Sequence, residues 1–384
     1  MKKLVTEKKI WRFDIKTSQY HLSKPVMIFI CLLSLLIWLF ATPKILGIIS
    51  QLSADNVRIF HMVPAISLDD ESILLGTLLV LAGVARILFG VIIGFADLIF
   101  YKKITGNSFD WKGMINISLV NVLLFVIGIS LVVLTPLLDS FFVYYNSLLD
   151  NIPTLFNFSG PVALIIACFI GDFCFYWSHR LCHNMRILWN LGHIYHHRHE
   201  NLTQFHFSEE PHIFFLRAGQ GVALMLLPLL SKVFTLDLSN IGWFLLAIMI
   251  MDIWTDPSHS VVLYYIESKS KILKSLRWVL VTAGVHYTHH SRDPAHNKKT
   301  GCNFGARLTV CDRLFGTYVE PLDYIPETGL FGAKVDYCNN PVRYIGLPYL
   351  RFYKELKRNH VKHWLPILFA STSYAPPNKA KMSH

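Results

Sequence analysis

Long apolar runs set the plan of the chain. Residues 26–43, 113–138 and 151–171 carry no charged side chain, and 72–96 carries only Arg86. Each run is close to the roughly 20 residues that cross a bilayer core. They predict spans at about 26–50, 72–98 and 113–138, and a fourth that starts near Pro161 and runs into His179. Two further stretches, 212–230 and 241–255, predict a helical hairpin that dips back towards the membrane. Its second arm is short for a full crossing. The pattern therefore predicts an all-α fold, a polytopic integral membrane helical bundle.

Composition agrees. Of 384 residues, 53% are hydrophobic and 16% are charged, where soluble domains hold about 25% charged residues. The net charge of +11 does not read as a nucleic-acid footprint, because the cations flank the apolar runs. Lys2, Lys3, Lys8, Lys9, Arg12, Lys16 and Lys24 precede the first run, and Lys102, Lys103 and Lys112 follow the second. Lys and Arg in short flanking loops mark the cytosolic side. By parity the fourth span delivers His179 to that side. The expected location is a multi-pass protein of a bacterial inner membrane or the endoplasmic reticulum, with its site facing the cytosol. The first run is too long and too late for a cleaved leader. Seven scattered cysteines without a C-x-x-C pair predict reduced thiols.

The chain divides into a basic lead (1–25), N-terminal transmembrane helices (26–150), a catalytic segment (151–320) and a cytosolic or interfacial tail (321–384). In the tail, 349–369 mixes aromatic and basic residues, which suits either an interfacial helix or an ordinary surface helix.

Histidines supply the candidate chemistry. Thirteen of the 18 lie between 179 and 296. His179 and His183 are four apart, which on a helix places both rings on one face. His193, His196 and His197 form an H-x-x-H-H pattern, and His286, His289 and His290 repeat it. In that spacing the outer two residues share a face and the middle one is turned by about 100°. One trio can thus serve one ion with two rings and its neighbour with the third. With His259 there are more nitrogens than one ion takes, so the set predicts two metals, and with them a cytosolic histidine-rich di-metal cap on the helical bundle. Imidazole alone does not choose between zinc, copper, iron and nickel.

Three carboxylates are candidates to orient an imidazole: Asp172, Asp256 and Asp312. Each also has a plain structural reading, as a helix-packing contact for Asp172 and as turn caps for the other two. Tyr176 and Trp177 are expected as interface anchors, and Arg86 as a salt-bridge or lipid contact. His199, His206, His212 and His296 are expected at the surface or behind the ligands.

The stretches GDFCFYWSHRLCH (171–183), LWNLGHIYHH (188–197), TDPSHS (255–260), VTAGVHYTHHS (281–291) and NFGARLTVCDRLFGTY (303–318) resemble the fatty acid hydroxylase/sterol desaturase superfamily. The resemblance covers roughly 160–320. It implies an integral membrane non-haem di-iron oxidoreductase that hydroxylates or desaturates a lipid, sterol or fatty-acyl, with O₂ and two electrons. It further implies that His179, His183, His193, His196, His197, His259, His286, His289 and His290 are the metal ligands. An external electron donor, such as a cytochrome b5 or ferredoxin type, would be the partner, with a membrane lipid as substrate and no nucleic acid. The sequence departs from the family at Gly301-Cys302, at Cys311 and in the stretch after His197. The competing readings are a membrane metal transporter and a zinc-loaded inert member of the same fold.

Overall fold

The computed structural model describes residues 70–109, 137–197, 199–205, 229, 233–236, 241–293, 296, 301–329 and 341–377. The basic lead, the span expected at 26–50, nearly all of the one at 113–138, the first hairpin arm, His206 and His212 lie outside the described residues.

The second expected span is helix α1, Asp70–Thr105, which runs past its apolar stretch to Lys102 and Lys103 in the last turn. Those cations complement the negative end of the helix dipole. Val80, Ile87, Ile92 and Ile99 stand exposed along it. Apolar exposure of that extent marks a membrane or partner surface. Helix α2 covers Leu137–Asp150. Helix α3, Gly160–Asn184, begins with Pro161 in its first turn, where the missing N–H costs nothing, and it carries His179 and His183 near its end. Among the described residues, α1 from Leu74 and α3 are the two helices long and apolar enough to cross a membrane.

The chain then makes three short helical pieces: α4 (Arg186–Leu188), a π-helical turn (Trp189–His193) and α5 (Ile194–His197). The second hairpin arm is α6, Ile241–Thr255. After it come α7 (Val261–Lys269), α8 (Lys271–Leu276), α9 (Ala283–His289), α10 (Val310–Leu314), α11 (Pro341–Arg358) and α12 (Trp364–Phe369).

The all-α expectation needs one correction. Phe156–Phe158 pairs in parallel with Phe234–Leu236. Three residues are too few to show a strand period in the sequence, but the phenylalanines in both segments and Thr235 in the second favour it.

Helix α6 packs along α1 and faces α3, and α3 carries His179 and His183 near its end. The Met249 methyl lies 3.5 Å from where a Cβ on Gly83 would sit. Further on, Arg86 of α1 pairs with Asp252 (3.3 Å) and with Asp256, and Phe89 stacks on Trp254. Ala167, Cys168 and Gly171 of α3 face Ile248 and Met251 of α6 across a small cleft. Arg307 closes this layer by pairing with Asp252 at 3.1 Å. The charges between the helices are therefore paired with one another.

The tail packs behind the site. Arg186, fully buried, makes a two-oxygen pair with Glu355 of α11 (2.9 and 3.0 Å) and donates to the Ile367 carbonyl. Met185 bridges Ser371, and the Thr372 hydroxyl donates to the His183 carbonyl. Leu191 of the π-helical turn sits in a core with Phe352 and Ile367. Packing thus joins α1 and 341–377 to the segment between them, across the boundaries expected at 150 and 320.

Candidate metal centre

Nine imidazoles converge in two adjoining groups. His179, His183, His193, His197 and His289 form one, and His196, His259, His286 and His290 the other; within each group one nitrogen per ring lies within 4.8 Å of the others. The division follows helical period. In each H-x-x-H-H trio the outer pair, 193 with 197 and 286 with 290, joins one group while the middle residue crosses to the other. Rings of the two groups stack directly, with His197 and His290 at 4.4 Å between centroids.

The nine rings come from four segments of the chain. Helix α3 presents His179 and His183 one turn apart. The π-helical turn widens the backbone by one residue before α5 and so aims His193; such turns recur at functional sites. Helix α9 is capped by Thr282. Its first turn also donates Gly284 N–H to the Glu267 carboxylate (3.0 Å), which accepts from Thr282 Oγ1 (2.8 Å) and pairs with Arg277. His259 precedes the cap of α7. There the buried Asp97 of α1 accepts from Ser260 Oγ (2.7 Å), Val262 N–H (2.9 Å) and Gln204 N–H (2.9 Å).

Backbone carbonyls set the tautomers. His179 Nδ1 donates to the Phe304 carbonyl at 2.9 Å, and His289 Nδ1 donates to the Cys302 carbonyl at 2.6 Å. A carbonyl only accepts, so both Nδ1 atoms carry the proton and both Nε2 atoms keep a lone pair. The loop that offers these carbonyls is tightly specified. Asn303 adopts a left-handed φ of 54° and donates to the Val285 and Val319 carbonyls. A side chain on Gly305 would place Cβ 2.4 Å from the Leu308 carbonyl oxygen. Asp312, fully buried, accepts from Phe304 N–H (2.8 Å), Gly305 N–H (2.8 Å) and Thr317 Oγ1 (2.7 Å).

The three candidate carboxylates therefore do not touch an imidazole. Asp172 accepts from the backbone N–H groups of Arg307 and Leu308 (2.9 and 3.1 Å), the packing role. Asp256 pairs with Arg86. Asp312 acts one step back, through Phe304. Carbonyls occupy the place expected of carboxylates because the loop at 302–304 already lies against the rings. Tyr176 also departs from expectation. It is fully buried, bonded through its hydroxyl to Thr317 (2.9 Å), and is no lipid anchor. His199 and His296 are buried and belong to neither group. Asp97 and Glu267 escaped the sequence reading. The one available signal was an aspartate standing inside an otherwise apolar run.

The close contacts in the first group are not a hydrogen-bond network. His193 Nε2 lies 3.0 Å from His179 Nε2, 2.9 Å from His183 Nε2 and 3.1 Å from His197 Nε2. One ring nitrogen has one proton or one lone pair and cannot serve three partners. A cation between the rings uses all the lone pairs at once. The all-imidazole donor set fits a first-row transition ion.

Burial, and after it the neighbouring rings, holds His196, His197, His286, His289 and His290 well below the ordinary histidine pKa. They are neutral at pH 7, the form that binds metal. The depressed values set the sign of the pH dependence. Stability is fully present above the unfolded pKa of about 6.5 and is lost as pH falls below it, by up to about 1.4 kcal/mol per pH unit for each ring. Denaturation of the metal-free chain followed between pH 7.5 and pH 5 should show this steep acid side. A flat profile would contradict the buried, neutral cluster.

The model of the family described as fatty acid hydroxylase matches residues 164–317. No curated protein matches the chain, and no solved structure matches it. All nine imidazoles, and the loop that orients two of them, lie inside the matched span, and over that span the chain is similar to the fatty acid hydroxylase/sterol desaturase superfamily.

Proposed function

We propose that the chain is a membrane-bound di-iron oxygenase that hydroxylates or desaturates a lipid. The carrying observation is the pair of adjoining all-nitrogen groups, two of whose rings, His179 and His183, stand near the end of α3, a helix long and apolar enough to cross a bilayer. His179, His183, His193, His197 and His289 would hold one ion, and His196, His259, His286 and His290 the other. Bound there, two irons supply the activation of O₂, with two electrons from outside, that removes hydrogen from an unactivated C–H bond.

The remaining work belongs to the chain. The Phe304 and Cys302 carbonyls fix the proton of His179 and His289 on Nδ1 and keep Nε2 free, which also raises ligand basicity. Glu267 and Asp97 hold the helix starts that bear His286 and His259, so the two groups keep their spacing. The burial of both groups excludes water from the reacting carbon. Lys102 and Lys103, exposed at the end of α1, offer a basic rim to an electron-transfer protein with an acidic face. The lipid substrate enters sideways from the bilayer, and the site faces the cytosol.

Two measurements test this reading. Purified chain should carry two irons, and cells producing it should accumulate an oxidised lipid under air but not under argon. Equal product in both gases would exclude an oxygenase. Zinc without iron, and no lipid product, would favour the inert reading; metal moved across vesicles would favour transport.

A further inference from the structure

The 277–280 turn and helix α10 carry an apolar surface that the site does not use. Trp278 is 69% exposed, Val279 54%, Val310 39% and Leu314 67%. These residues form one patch. Thr309 N–H donates to the Val279 carbonyl (2.9 Å), and Thr309 Oγ1 to the Trp278 carbonyl (3.0 Å). Val310 and Leu314, four apart, share the outer face of α10, while Cys311 and Asp312 fill its inner face. None of the four carries charge, so a partner that docks by ion pairing finds nothing to hold.

The height of the patch is fixed by α3. Phe315, next to Leu314, stacks on Tyr176 (5.3 Å) and meets Trp177 (5.1 Å) and Phe173 (6.2 Å). At 1.5 Å per residue, positions 173–177 lie about 20 to 26 Å from the start of α3, inside the roughly 30 Å of a hydrocarbon core. The patch therefore flanks α3 on the membrane side of His179. The cation beside the patch is folded against its Trp278 ring. The Arg313 guanidinium lies between the rings of Trp278 (4.4 Å) and Tyr318 (3.8 Å) and donates to the Arg277 carbonyl. An apolar stem with its charge folded back over Trp and Tyr is the arrangement that suits a membrane interface.

We propose that the Trp278–Val279 turn and the outer face of α10 form a wedge seated in the interfacial layer of the lipid bilayer, beside α3. The wedge rests on the reading of α3 as a membrane span. The helix that meets the lipid is also the one that carries Asp312, so the bilayer braces the loop whose carbonyl orients His179.

The test uses the full chain in phosphatidylcholine vesicles. A fluorophore is attached in turn through Leu314→Cys, Val279→Cys, Leu88→Cys on the exposed face of α1, and Glu327→Cys in an exposed loop. The unsubstituted chain corrects for native thiols. Quenching is measured with aqueous iodide and with lipids spin-labelled near the headgroup or deep in the acyl chain. A wedge predicts that the 314 and 279 labels are quenched by shallow spin labels and are about fivefold less open to iodide than the 327 label, since such elements sit 5–10 Å into the boundary. The 88 label should respond to the deep spin label. If 88 is lipid-buried while 314 and 279 are as wet as 327, the wedge is wrong and the span stands. If 88 is wet as well, both readings fall.

Discussion

His193→Ala should leave the protein with no more than one iron and lower lipid oxidation by a factor of about 100 or more. Among the described residues its Nε2 is the nitrogen closest to three others of its group, so no neighbour can take its place. His196→Ala should do the same from the other side, because its ring belongs to the second group. The two variants are informative together. Each should empty mainly its own group, so both give about one iron or fewer. His360→Ala, on the exposed tail, should change neither quantity. Metal analysis of the purified variants reads the first effect, and product lipid per chain the second. Two irons retained in His193→Ala would dissolve the first group as a metal site.

Asp312→Ala is the second large effect, and it acts without touching a ring. The carboxylate accepts from two backbone N–H groups and a hydroxyl at a fully buried position. Each donor left without a partner costs about 1–3 kcal/mol, so the variant should lose at least about 3 kcal/mol of stability. The freed Phe304 carbonyl would no longer fix His179, and iron affinity should fall about 10- to 100-fold, the range for groups that orient metal ligands. Asp312→Asn, which keeps one acceptor oxygen, should fall between. Denaturation midpoints and iron titration separate the two consequences. A variant that is less stable yet binds iron as before would show that Asp312 serves the fold alone.

Much of the candidate site was legible because helical period is written into residue spacing. The gaps of four between His179 and His183, and the doubled H-x-x-H-H trios, determine which rings share a face. The structure groups them by that rule. The second hairpin arm was legible with its ends, as Ile241–Thr255, because a continuous apolar run has visible limits. What was not legible depends on partners far away in the chain. Asp97 reads as one acid in an apolar run until Ser260 and Gln204 are brought to it. Glu267 reads as an exposed helix residue until α9 lands on its carboxylate. The groups that orient His179 and His289 are peptide carbonyls, which no residue type announces. The π-helical turn at 189–193 is hidden for a related reason, since its extra residue changes geometry and not composition.

Arg86 has a consequence for how the molecule is made. Its partner Asp256 lies 170 residues further along the chain, and Asp252 only slightly nearer. With α1 as a membrane span, the reading proposed above, a nascent α1 would reach the bilayer with its guanidinium still unpaired from Asp252 and Asp256, at a cost of about 2.5–3.5 kcal/mol for insertion. That helix would settle fully only once α6 had been synthesised and clasped against it, so the last step of assembly would wait on the second half of the polypeptide.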